Sequence, residues 1–169
     1  QVKTLSRWPD GSVRWALFDF IADLDLRDKP RLEVCTGGGS PEPGSRVGVE
    51  ETGNLLNIDT GSLSAQMQMP KDAPPRVTMR RAVDGFAVVM EECVCLDANG
   101  VCAPLRFGNS TVSVLTGGPL VAEVEVGTPC FLNDRHVLDS RLLLRFFAGT
   151  DFLHAYSTIF SREEDLMGR

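Results

Sequence analysis

Three side chains near the end of the chain are of types that do acid–base work. His154 and Tyr156 lie two residues apart in an alternating stretch, so a strand places them on one face, and Arg145 in the preceding stretch can lie opposite. Elimination at a uronic acid needs a cation to neutralise the carboxylate, a base for the C5 proton and an acid for the leaving oxygen. Arg, His and Tyr can fill those roles. The plainer reading of the same residues is a satisfied interface pair beside an arginine. Elsewhere, Asp59-Thr60-Gly61-Ser62 after Leu55-Leu56-Asn57-Ile58 matches the active-site loop of aspartic proteases. That chemistry needs two such loops so that two carboxylates share one proton. The chain holds one, so a protease would be a symmetric dimer built on Asp59; otherwise the four residues are a tight turn. Trp8 stands just ahead of a turn and is the candidate for an exposed platform that stacks on sugar. Trp15, inside a strand of apolar neighbours, reads as core. His136, beside Asp134 and Arg135, reads as a loop residue.

No cofactor or metal is called for. Gly37-Gly38-Gly39 lacks both the Gly-Lys-Ser/Thr ending of a phosphate loop and the spacing of a dinucleotide fingerprint. No Ser-His-Asp set with a nucleophile elbow and no His-x-x-x-His pair occurs. The five cysteines, Cys35, Cys93, Cys95, Cys102 and Cys130, lack the paired spacing of a zinc site. They fit buried thiols in a reducing compartment or a disulfide in an extracellular or periplasmic protein. If Asp97 to Gly100 is a four-residue hairpin loop, Cys95 faces Cys102 at a distance a disulfide spans. A two-residue loop at Asn99-Gly100 would instead set Cys95 against Pro104. Asp97 and Gly100 suit the ends of the longer loop.

The elements that must position these residues are short strands. Pro9-Asp10-Gly11 makes a turn, and Val13 to Ile21 follows as a strand apolar on both faces, so it is expected to be covered on both sides. Further strands are expected at Arg31 to Val34, Arg46 to Glu50, Leu55 to Asp59, Leu63 to Met69, Val77 to Val83 and Phe86 to Leu96. Others follow at Val101 to Phe107, Thr111 to Leu115, Leu120 to Val126, His136 to Phe147 and Phe152 to Phe160. Gly, Pro, Asn or Asp bounds nearly all of them. Leu63, Ala65, Met67 and Met69 alternate with Ser64, Gln66 and Gln68, the pattern of a half-buried strand. Short strands at even spacing predict an all-β barrel or sandwich.

Composition narrows the partners. The 169 residues include 43% hydrophobic ones and carry a formal net charge of −6; the mean hydropathy is −0.04 and the isoelectric point near 4.9. Such a chain folds around a core and offers no general attraction to nucleic acid or to an anionic membrane. No run of about 18 or more apolar residues is present to form a transmembrane helix.

The string Arg7-Trp8-Pro9-Asp10-Gly11-Ser12-Val13-Arg14-Trp15, followed by an apolar strand, resembles the N-terminal domain of the exo-rhamnogalacturonan lyase family. Gln1 to Trp8, Asn57 to Leu63 and Arg145 to Leu153 resemble further strands and turns of that domain in the same order. The resemblance implies an all-β, RIFT-type β-barrel, with a β-sandwich as the alternative, over residues 1–160. Its N-terminal strand would be truncated, and residues 161–169 would begin a linker. It further implies that the chain is a fragment and is non-catalytic by itself. Its partner would be a C-terminal helical catalytic domain of the same parent, which meets the acidic polysaccharide and cleaves rhamnose–uronic acid linkages by β-elimination. The alternatives from other classes are a stand-alone carbohydrate-binding module, which predicts exposed aromatics on one face, and the dimeric protease. The lyase reading predicts an apolar patch where the second domain docks.

Overall fold

The computed structural model describes residues 1–20, 44–71, 73, 75–91, 105–132 and 134–162. The expected strand at Arg31 to Val34 and the Cys95–Cys102 pairing lie outside the described residues. All the described regular structure is β, and it falls in two compact units, Gln1–Gly44 and Ser45–Arg169.

In the first unit β1 (Val2–Arg7) and β2 (Val13–Phe18) form an antiparallel hairpin. Its turn is built by the residues that the sequence singles out. The Asp10 carboxylate accepts the Ser12 N–H at 2.9 Å and the Ser12 hydroxyl at 2.7 Å. Those bonds, the hydroxyl's first, hold the carboxyl below its ordinary pKa. Gly11 takes φ +85°, a conformation that costs side-chain-bearing residues energy. Trp15 is not core: it is 63% exposed, against 51% for Trp8. A two-stranded ribbon has no second layer of its own, so the apolar pattern on both faces does not bring burial. Trp8 is partly screened, because the Arg14 guanidinium lies 4.6 Å over its ring.

The second unit holds two antiparallel sheets. The first is a meander of β3 (Gly48–Thr52), β4 (Leu55–Asp59), β5 (Leu63–Gln68), β6 (Arg76–Arg81) and β7 (Ala87–Glu91), each strand paired with the next. The second comprises β8 (Arg106–Phe107), β9 (Thr111–Gly117), β10 (Val121–Leu132), β11 (Arg135–Phe147) and β12 (Leu153–Ser161). Its order is β12-β11-β10. The far edge of β10 is shared, β9 running along Ala122–Gly127 and β8 meeting Cys130 and Phe131.

Alternation decides which side of each strand turns inward. On β5, Leu63, Ala65 and Met67 are buried while Ser64, Gln66 and Gln68 are exposed. Leu56, Ile58, Met67 and Val77 from the first sheet share one core with Ala122, Val124, Val126, Leu144 and Phe146 from the second. Burying each large side chain contributes about 1.5–3 kcal/mol. The unit is all-β, two antiparallel sheets around one core, and among the described residues neither sheet closes on itself into a barrel.

The turns between β4 and β5 and between β11 and β12 are joined. The Thr60 hydroxyl, fully buried, bonds the Thr150 carbonyl at 2.7 Å and accepts the Leu63 N–H at 2.8 Å. Gly149 N–H donates to the Thr60 carbonyl at 2.7 Å, and the Ser62 hydroxyl to the Gly149 carbonyl at 3.1 Å. This junction fixes the start of β12. Beyond its end, Arg162 pairs with the Asp139 carboxylate, and the Arg162 N–H bonds the Val137 carbonyl at 2.9 Å. Both ends of β12 are thereby pinned.

Candidate functional site

The outward face of β10, β11 and β12 gathers the residues that the sequence marks for chemistry. Core-facing Leu144 and Phe146 alternate with outward Leu143, Arg145 and Phe147. The register sets Arg145 directly opposite His154 on one side and Glu123 on the other; the next row is Tyr156, Leu143 and Glu125. Arg145, His154 and Tyr156 therefore share one surface.

Rings dominate that surface. The His154 ring lies 5.1 Å from Phe147, edge-on, 6.0 Å from Phe152 and 6.3 Å from Tyr156. Phe152, His154, Tyr156 and Phe160 occupy positions of one parity on β12 and its approach, and all four are exposed. Strand geometry spaces alternate residues by about 6.5 Å, so the rings form an open row along the sheet's edge strand.

Charge on the face is largely internal. Arg145 Nε lies 2.9 Å from Glu123 Oε1, both side chains mostly buried, as a close ion pair rather than an aligned hydrogen bond. The Thr116 hydroxyl donates to the other Glu123 oxygen at 3.3 Å. The Arg141 guanidinium lies 5.1 Å over the Phe160 ring. At the far end His136 is a strand residue of β11, not a loop residue. A bulge between Cys130 and Phe131 sets it opposite Phe131, on which its ring stacks at 5.1 Å. His136 also bonds Asp139 at 2.7 Å. Burial pushes the Asp139 carboxyl up, but the bonds from Arg162 and then His136 outweigh it and hold its pKa below the usual value.

Asp59 ends β4 on the other sheet. Its carboxylate accepts the Gly61 N–H at 2.7 Å, so the Asp-Thr-Gly-Ser string is built as a capped turn. The outward face of that sheet forms an open groove of about 540 Å³, lined by Glu50, Asn57, Ser64, Gln66 and Arg80 among others. No aromatic residue lines it, and Gln66 already donates to Asn57 at 3.2 Å. Among the described residues no group of three or more His, Cys, Asp or Glu is placed to hold a metal ion.

Sequence reasoning selects His154 and Tyr156 but passes over Phe147, Phe152, Phe160 and Glu123. The signal for Phe152 and Phe160 is present, since both share the parity of His154. Glu123 has no such signal, because its place beside Arg145 depends on a pairing between strands. Comparison of the chain with protein-family models, curated proteins and solved structures gives no match.

Proposed function

We propose that this chain is a non-catalytic, glycan-binding β-domain serving a polysaccharide-degrading enzyme. The observation that carries the reading is the exposed row of Phe152, His154 and Tyr156 on a strand pinned at both ends. Rigid rings bury the apolar faces of sugar rings, while the polar tips of Tyr and His meet hydroxyl groups. A catalytic role has less support. Among the described residues no side-chain hydrogen bond orients His154 or Tyr156, and Arg145 is already engaged by Glu123. Elimination needs an oriented base and a cation open to the substrate carboxylate.

The resemblance to exo-rhamnogalacturonan lyases supplies the second half of the proposal. In that reading the all-β unit is a RIFT-type barrel that braces a helical lyase domain. The favouring observation is Ile159, which has the core-facing parity of Leu153 on β12 yet is 61% exposed, as at a position another domain covers.

The test is calorimetric titration of the chain with soluble plant and bacterial cell-wall oligosaccharides. Saturable binding that falls at least about tenfold in Tyr156→Ala and Phe152→Ala, with unchanged circular dichroism, is the expected result. Absence of saturable binding to every oligosaccharide would refute it.

A further inference from the structure

The charges around the ring row select among glycans, an inference that rests on the glycan-binding reading. The guanidinium of the residue opposite His154 belongs to Arg145, and its charge is matched by Glu123. Glu123 holds it at 2.9 Å, and the cation lies 5.8 Å over Phe147. A ligand carboxylate reaching Arg145 Nε would have to displace Glu123, whose side chain is only 17% exposed. Such forks recognise a carboxylate only when their N–H groups are open to it.

The next row is acidic. Glu125 and Tyr156 flank Leu143 on neighbouring strands, so about 10 Å separates them across an apolar floor. A sugar resting on Leu143 and against Tyr156 lies within reach of Glu125. A carboxylate there accepts hydroxyl hydrogen bonds and repels a second carboxylate, within the ~8 Å over which salt leaves charges visible. Arg141 of β11 is one row further and lies over Phe160, where it screens that ring. The net charge of −6 adds to the repulsion.

We infer that the ring row takes neutral oligosaccharides in preference to uronate chains, with Glu125 as the residue that discriminates. Matched probes decide it: galactohexaose and gluco-hexaose against the corresponding hexauronates, titrated into the 169-residue chain at low and physiological salt. The expected result is neutral chains bound about tenfold more tightly, the gap narrowing with salt. In Glu125→Gln the gap should shrink to about twofold or less, with neutral affinity reduced by loss of the stronger acceptor. Uronates bound as tightly as neutral chains, or a preference unchanged in Glu125→Gln, would overturn this inference and leave glycan binding standing. Binding of neither class, with Tyr156→Ala also silent, would overturn the glycan reading and this inference with it. Uronate binding abolished in Arg141→Gln would assign the face to acidic chains instead.

Discussion

Removing one oxygen at the junction of the two turns tests how the two sheets are held together. In Thr60→Val the β-branched shape is kept, so the change is the hydroxyl alone. That group is fully buried, accepts the Leu63 N–H at 2.8 Å and reaches the Thr150 carbonyl at 2.7 Å. After substitution the Leu63 N–H is left without this acceptor in a dry site, at a cost of about 1–3 kcal/mol. The Thr150 carbonyl, nearer the surface, recovers water and adds less. The working figure is about 2–3 kcal/mol. With a urea dependence of about 1–3 kcal/mol/M for a domain of this size, the midpoint falls by about 0.7–3 M. Thr60→Ser keeps the oxygen and loses one buried methyl group, for about 1 kcal/mol. Urea denaturation of the three proteins, followed by circular dichroism, separates the two contributions. A Val variant within about 0.5 kcal/mol of the parent, or a Ser variant as damaged as the Val one, would refute the role given to the hydroxyl.

Asp84 should titrate near 2, since the Arg81 side chain first and the Phe86 N–H second favour its ionised form. Its folded pKa lies below the unfolded value of about 3.9, so this interaction is present above about pH 4 and lost as pH falls through 2; a carboxyl ¹³C titration midpoint near 3.9 would contradict it. Leu144→Ala should destabilise the larger unit by about 2–5 kcal/mol, whereas Leu115→Ala, on the exposed part of β9, should cost under about 1 kcal/mol; equal losses in chemical denaturation would show that the core is misassigned. Trp8→Ala and Trp15→Ala should shift stability by similar amounts, each under about 1 kcal/mol. Acrylamide should quench both indoles readily, and a protected Trp15 would contradict its exposure.

What the sequence makes legible here is local. Leu55 to Asp59 is the strand β4, residue for residue, and the alternation from Leu63 onward is the alternation of burial on β5. The glycines at 61, 85 and 149 adopt the positive φ expected of turn residues. Parity tells which residues share a face but not what covers that face. Hence Trp15, apolar-flanked and in the expected strand, is exposed on a two-stranded ribbon. Parity likewise puts His154 beside Tyr156, but Arg145 meets Glu123 only because β10 and β11 pair in one register out of several. His136, read both as a loop residue and as the first residue of an expected strand, belongs to β11, where a bulge between Cys130 and Phe131 sets it opposite Phe131. The closure of sheets into a barrel or a sandwich is a property of strand edges, on which a pattern of apolar residues is silent.

The wiring of the larger unit has a consequence for its lifetime. β3 to β7 pair in succession, as do β9 to β12, so both meanders consist of hairpins whose closure costs little chain entropy. The Thr60–Thr150 bond spans 90 positions and forms only when the two apolar faces have already met. If the two meanders mate at the rate-limiting step, before the turns engage, that bond is made after the barrier. A bond made after the barrier governs escape from the native state and not arrival at it. On that order of events the junction of the two turns is a latch: in stopped-flow kinetics Thr60→Val should unfold faster and refold at the parent's rate, and slowed refolding would contradict it.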